Sequence, residues 1–177
     1  MTSSPLDLLD PVTARDHARG AAHPRVTIVE YGDFECPVCR SAEAGVQMVL
    51  DRAPDLIRLV YRHFPIESAH PHALLAAEAA EAAAAQGQFW SMHQRLMRIG
   101  ARLDRKALDH HAEALGLDMA LFRASLDDEI YRQRIREQIA GATRSHLRAT
   151  PGFYVNGRVC DVSGGLQLLA DRVGALL

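Results

Sequence analysis

Long apolar runs, an excess of either charge, and cysteine are all scarce in these 177 residues. No stretch approaches the roughly 20 apolar residues that carry a helix across a bilayer, so stable membrane association is not expected. Basic residues number 20 and acidic residues 22, a net charge of −2. A general polyanion binder is clearly basic, so nucleic acid is not an expected partner. Three cysteines are too few to staple a disulfide-rich mini-protein. Lysine is nearly absent: Lys106 stands against 19 arginines, which reads as a compositional habit rather than a site. The opening Met1–Asp10 lacks the basic start and unbroken apolar stretch of a secretory signal. Asp7 and Asp10 interrupt its leucines. The expected location is therefore cytoplasmic, or extracytoplasmic if a leader has been trimmed.

Apolar residues make up 48% and charged residues 24%, enough for a packed core in one domain of this length. Residues 1–24 are polar and broken by Pro5, Pro11 and Pro24, and read as a loose arm. Val26-Thr27-Ile28-Val29-Glu30-Tyr31 is short, β-branched and stopped by Gly32-Asp33, the pattern of a buried strand. Pro37 suits a first helical position, and a helix to about Leu50 follows. Leu56-Ile57-Arg58-Leu59-Val60-Tyr61 reads as a second strand. This β-α-β order implies a parallel pair with a right-handed crossover.

From Ser68 to Ser145 the pattern is helical. An alanine-rich segment stops near Gly87. Phe89, Met92, Leu96 and Ile99 recur at helical spacing, then Leu108, Ala112 and Leu115. Asp118 is placed to cap a short helix containing Phe122 and Leu126. Tyr131, Ile135, Gln138 and Ala142 share one side of a longer helix. Phe153-Tyr154-Val155, Asn156-Gly157 and Arg158-Val159-Cys160 form a hairpin signal. Residues 166–177 close as an amphipathic helix.

Cys36-Pro37-Val38-Cys39 carries the chemistry. Two cysteines three apart, at the start of a helix after a buried strand, can close a small disulfide ring. At the N-cap, backbone N–H groups and the positive end of the helix dipole favour thiolate over thiol at Cys36. Only the thiolate attacks a disulfide, which makes Cys36 the nucleophile and Cys39, one turn inside, the resolving thiol. Half a zinc knuckle is the competing structural reading. A closed zinc site needs four ligands, however, and Cys160 is the one cysteine left. His110-His111 and His70-Pro71-His72 lack helix-borne ligand spacing. No metal is therefore expected. Glu35, beside Cys36, reads as solvated and mildly opposed to the thiolate. His63 reads as a structural histidine, and Phe89, Trp90 and Met92 as core. Cys160 reads as a small buried apolar residue, with a regulatory third thiol as the alternative.

These residues resemble the DsbA-like branch of the thioredoxin superfamily over about residues 24–177. The resemblance is carried by the strand and CPVC motif from Val26 to Cys39, and by Arg62-His63-Phe64-Pro65 before the alanine-rich helix. Gln86-Gly87-Gln88-Phe89-Trp90 with His93, and Thr150-Pro151-Gly152-Phe153-Tyr154-Val155-Asn156-Gly157, complete it. It implies an α/β thioredoxin fold (βαβ–ββα) at 25–65 and 148–177, with a helical subdomain inserted at 66–147. It implies a cis bond at Pro151 and a substrate-docking surface made by Pro37, Val38, Thr150 and Pro151. It also implies that Glu30 is a buried acid assisting proton transfer to the resolving thiol.

The activity implied is thiol–disulfide exchange with protein or small-thiol substrates, recycled by a thiol reductant or oxidant. No cofactor and a monomer are expected. Two alternatives share the fold: a thiol-cofactor-dependent isomerase or transferase, and a redox-inactive chaperone or binding module.

Overall fold

A computed structural model describes residues 7–98 and 100–177. The first six residues of the expected arm, and Ile99 of the expected apolar stripe, lie outside the described residues. In chain order the elements are β1 (His17–Gly20), β2 (Val26–Gly32), α1 (Pro37–Asp51), β3 (Ile57–His63), α2 (Ala73–Ala84), α3 (Phe89–Leu96) and α4 (Arg105–Ala114). They continue with α5 (Met119–Asp127), α6 (Arg132–Arg144), β4 (Gly152–Val155), β5 (Arg158–Cys160) and α7 (Gln167–Gly174). No described helix is long and apolar enough to cross a membrane. The chain packs as two units: residues up to Gly32 with 41–62 and 140–177, and residues 33–40 with 63–139.

The first unit is built on one sheet of order β1-β3-β2-β4-β5. β1 pairs antiparallel with β3, β4 with β2, and β5 with β4. The neighbours β2 and β3 are joined through α1, the long crossover that a parallel pair requires. Six of the seven residues of β2, and six of β3, are buried. A strand covered on both faces needs apolar residues in succession rather than in alternation, as Val26-Thr27-Ile28-Val29 supplies. At the end of β2 a Cβ on Gly32 would stand 2.5 Å from the Tyr61 ring, so that close approach admits only glycine. The β4–β5 hairpin turns on Asn156 (φ 48°) and Gly157 (φ 78°), the paired positive angles of a type I′ turn. Asn156 further accepts from the Thr27 amide at 2.8 Å through its side chain.

The expected loose arm is a correction. His17–Gly20 is an edge strand, registered from His17↔Tyr61 to Gly20↔Arg58. His-Ala-Arg-Gly contains no β-branched residue, so backbone pairing rather than side-chain preference makes this strand. The segment before it is held by Arg62, which is buried. Arg62 donates to both Asp16 carboxylate oxygens at 2.8 and 2.9 Å, and to the carbonyls of Asp10 and Pro11 at 2.9 Å each. It also donates to the Tyr31 hydroxyl at 3.0 Å. Nothing in the composition of the arm signals that a strand arginine gathers it.

The second unit contains α2, which packs against α3, α4 and α5. Its alanines keep it thin enough for close approach on several sides, and nine of its twelve residues are buried. Two of the nine are charged. Glu78 accepts both forks of Arg132 at 3.1 and 3.2 Å, and Glu81 accepts from Arg134 at 3.0 Å. Buried carboxylates are tolerated when paired in this way. Phe89, Met92, Leu96, Leu108, Ala112, Phe122, Leu126 and Ile135 are buried on their helices. Asp104 and Asp118 cap α4 and α5 by accepting backbone N–H groups from Ala107, and from Ala120 and Leu121.

Candidate active site

The chain leaves β2 through a turn organised by one carboxylate. Asp33 is buried, and its Oδ1 accepts from the Glu35 amide at 2.8 Å. Its Oδ2 accepts from the Ile66 amide at 2.9 Å and lies 2.7 Å from His70 Nδ1. The Asp33 carbonyl accepts from the Cys36 amide at 3.2 Å. Asp33 therefore fixes the backbone that delivers Cys36. Glu35 is half-buried on an open cleft, and its Oε2 also accepts from the His72 amide at 2.6 Å, ahead of α2. That contact is 37 positions away in sequence, which is why local reading misses it.

Cys36 is the residue immediately before α1, and its carbonyl accepts the helical bond from Arg40 N at 3.1 Å. Pro37 follows at the first helical position, where its missing N–H leaves nothing unpaired. Cys36 is 5% exposed and Cys39 1%, while Pro37 is exposed and Val38 is 59% exposed. The two sulfur-bearing residues thus share the first turn of one helix, beneath a cap that faces outward. Arg40, which sequence reading passed over, lies four residues after Cys36. Its Nε donates to the Phe34 carbonyl at 2.7 Å and its Nη2 to the Ala101 carbonyl at 3.0 Å. The i, i+4 spacing from Cys36 was the available signal.

The other expected residues lie on the sheet. Glu30 is central in β2, registered opposite Phe153, and 1% exposed. Its Oε2 has no hydrogen-bond partner among the described residues. Burial, with the charge of Glu43 adding to it and Arg19 opposing, pushes its carboxyl from 4.5 up to about 8. Glu43 itself is raised by burial and accepts from Arg19 at 3.3 Å. The Thr150–Pro151 peptide bond is cis. Gly152 pairs with Tyr31, so Pro151 stands at the end of β2 from which the chain runs on to Cys36. Thr150 is buried and Pro151 half-buried.

His63 is buried, with Nε2 3.1 Å from Glu81 Oε1 and its amide donating to Gln138 at 2.7 Å. Its ring joins those of Phe34, Phe89, Trp90 and His93 in one cluster, with neighbouring centroids 5.1–6.0 Å apart. Cys160 forms no disulfide, and burial pushes its thiol up.

A family model described as thioredoxin matches residues 13–168. The chain belongs to the thioredoxin family, and its fold is thioredoxin-like with a mixed sheet. Among solved structures, this thioredoxin-family chain is similar to a thioredoxin-like oxidoreductase from Silicibacter pomeroyi DSS-3. The two are 29% identical with a TM-score of 0.81, over 98% of this chain and 97% of that one. BdbD from Bacillus subtilis shares the fold at 19% identity and a TM-score of 0.78, over 90% of this chain and 91% of its own. Among curated proteins it is 47% identical over 169 residues to Na(+)/H(+) antiporter NhaA 1 of Salinispora arenicola, covering 95% of this chain and 26% of that protein. It is 39% identical over 155 residues to Na(+)/H(+) antiporter NhaA of Herminiimonas arsenicoxydans, covering 87% and 24% respectively. The chain therefore spans about a quarter of the length of these curated relatives.

Proposed function

We propose that this protein is a thiol–disulfide oxidoreductase that exchanges disulfides with exposed cysteines of other proteins. One observation carries the reading: Cys36 and Cys39 occupy the first turn of α1, under the outward cap Pro37-Val38. In the reducing direction the Cys36 thiolate attacks one sulfur of a client disulfide, and the other client sulfur leaves as a thiolate. Cys39 gives up its proton and attacks the Cys36 sulfur of the mixed disulfide, which releases the second client thiolate. The protein ends as the Cys36–Cys39 disulfide, having passed two electrons to the client. Run backwards, the same steps oxidise a client dithiol; a thiol pair resets the cycle in the reducing direction, and a disulfide oxidant resets it in the oxidising direction. The direction follows the reduction potentials of the partners.

Helix-terminal amides favour the Cys36 thiolate. Glu30, held protonated up to about pH 8, matches a group that exchanges a proton near neutrality. Thr150 and Pro151 offer backbone at the mouth of β4 for an extended client segment to pair with, a mode in which client sequence matters little. The chemistry needs no metal or organic cofactor.

The relatives named as antiporters favour a narrower reading of the client. There a similar segment is about a quarter of a longer chain, so a cysteine-bearing membrane transporter is a candidate client for this one.

The test is turnover on a fluorogenic disulfide peptide with a dithiol reductant. Cys36→Ser is expected to abolish turnover. In a single turnover without added reductant, Cys39→Ser is expected to stall as a mixed disulfide with one equivalent of client. Full turnover by Cys36→Ser overturns the proposal.

A further inference from the structure

Two carboxylates stand beside the proposed nucleophile. Asp33 is three residues before Cys36 and Glu35 is its neighbour, and both are fixed by hydrogen bonds to backbone amides. Left alone they would oppose a thiolate by like-charge repulsion. Arg40 answers them from one turn into α1. Its guanidinium does not trail into solvent but is held by two carbonyls, that of Phe34 before the motif and that of Ala101 in the loop ahead of α4.

Burial works against the charge of Arg40, whereas the negative charges of Glu35, Asp33 and Cys36 support it. Electrostatic coupling is reciprocal, so a cation supported by Cys36 supports the Cys36 anion in turn. The remaining guanidinium N–H groups are not committed to those two carbonyls. Arg40 helps line a cleft of about 320 Å3 with Glu35, His72, Ala101, Arg102, Leu103 and Asp104. Water in that cleft screens the charge, which limits its effect to the low end of the one to three pH units that an adjacent opposite charge produces. The charged and titratable groups around it are Asp33 with its partner His70, Glu35, His72, Arg102 and Asp104. Arg102 and Asp104 are paired with one another at 3.0 Å, so they add little net field.

We propose that Arg40 is a positioning residue for Cys36: anchored on the carbonyls of Phe34 and Ala101, it holds a fixed positive charge that offsets Asp33 and Glu35 and keeps the nucleophile ionisable. The proposal rests on the dithiol reading above and names the side chain that tunes it. It also gives the loop that carries Ala101 a part in the chemistry, through a single carbonyl.

The experiment titrates Cys36 in a Cys39→Ser, Cys160→Ser background, so that one thiol is read by ultraviolet thiolate absorbance and by the pH dependence of alkylation. Arg40→Gln is expected to raise the midpoint by about one pH unit, which makes alkylation below both midpoints about tenfold slower. Arg40→Lys keeps the charge but cannot bridge both carbonyls, and is expected to shift the midpoint upward by less. Glu35→Gln, which removes an opposing charge, is expected to shift it downward. An Arg40→Gln titration that superimposes on the parent overturns the proposal. If circular dichroism shows that Arg40→Gln does not fold, Arg40→Lys decides: an upward shift supports the proposal, and a titration identical to the parent overturns it. Disulfide-peptide turnover by the parent chain is scored separately. Its absence sinks the exchange reading, whereas an unmoved titration sinks only the role of Arg40.

Discussion

Replacing Glu30 with glutamine keeps the size and the polarity of a buried side chain while removing its ability to ionise. In the folded chain the carboxyl loses its proton at about pH 8, against 4.5 when unfolded. Between those values the native state binds a proton that the unfolded state does not, so stability falls as pH rises through that window. The gap is about 3.5 units, and at 1.36 kcal/mol per unit it amounts to about 5 kcal/mol, an order-of-magnitude figure. Below pH 4.5 both states carry the protonated group and the native residue costs nothing by this route. Above pH 8 the full penalty is present. The assay is urea unfolding of native and Glu30→Gln chains from pH 5 to pH 9, with Cys36 and Cys39 changed to serine in both so that thiol ionisation drops out. The variant should gain on the parent by about 1.4 kcal/mol for each pH unit and level off above pH 8. Two stability curves that run parallel across the range would refute the reasoning, because they would show Glu30 ionising alike in both states.

Arg62→Met should cost about 3–5 kcal/mol in urea unfolding, because it leaves the Asp16 carboxylate, 7% exposed, without the guanidinium that neutralises it. Proteolysis near Asp10–Asp16 should also quicken. Asn156→Ala loses the bond to the Thr27 amide and places a Cβ residue at φ 48° without asparagine's tolerance for it, so a loss of about 1–2 kcal/mol in thermal unfolding is expected. Cys160→Ala should leave peptide turnover unchanged and lower stability by about 1 kcal/mol or less, as removal of one small buried group does. A collapse of turnover in that variant would give the third thiol a role that its burial does not suggest.

The parts legible in the sequence are those where local pattern and final environment agree. Val26–Tyr31 reads as a buried strand because a strand covered on both faces needs an unbroken apolar run, and β2 is covered that way. Asn156-Gly157 reads as a hairpin turn because positive φ at two successive positions selects those residues. Asp118 reads as a cap because its side chain serves amides only two and three residues on. What escaped the reading depends on partners far away in sequence. The strand His17–Gly20 exists because β3 offers it an open edge, and the segment before it is held by an arginine about 50 positions later. Glu35 gains a bond to the His72 amide, 37 positions on, that no local pattern shows. Arg40 is ordinary helix surface until Ala101 supplies a carbonyl 61 positions on. The burial of Glu30 could not be separated by alternation from that of Tyr31, because both faces of β2 are covered.

The most direct test of thiol exchange at Cys36 uses the reduced Cys39→Ser chain and a short peptide carrying one disulfide. Intact mass spectrometry after mixing should show each protein molecule heavier by one peptide fragment, and digestion should map the new bond to position 36. No mass gain, or a bond mapped to position 160 instead, would contradict the account.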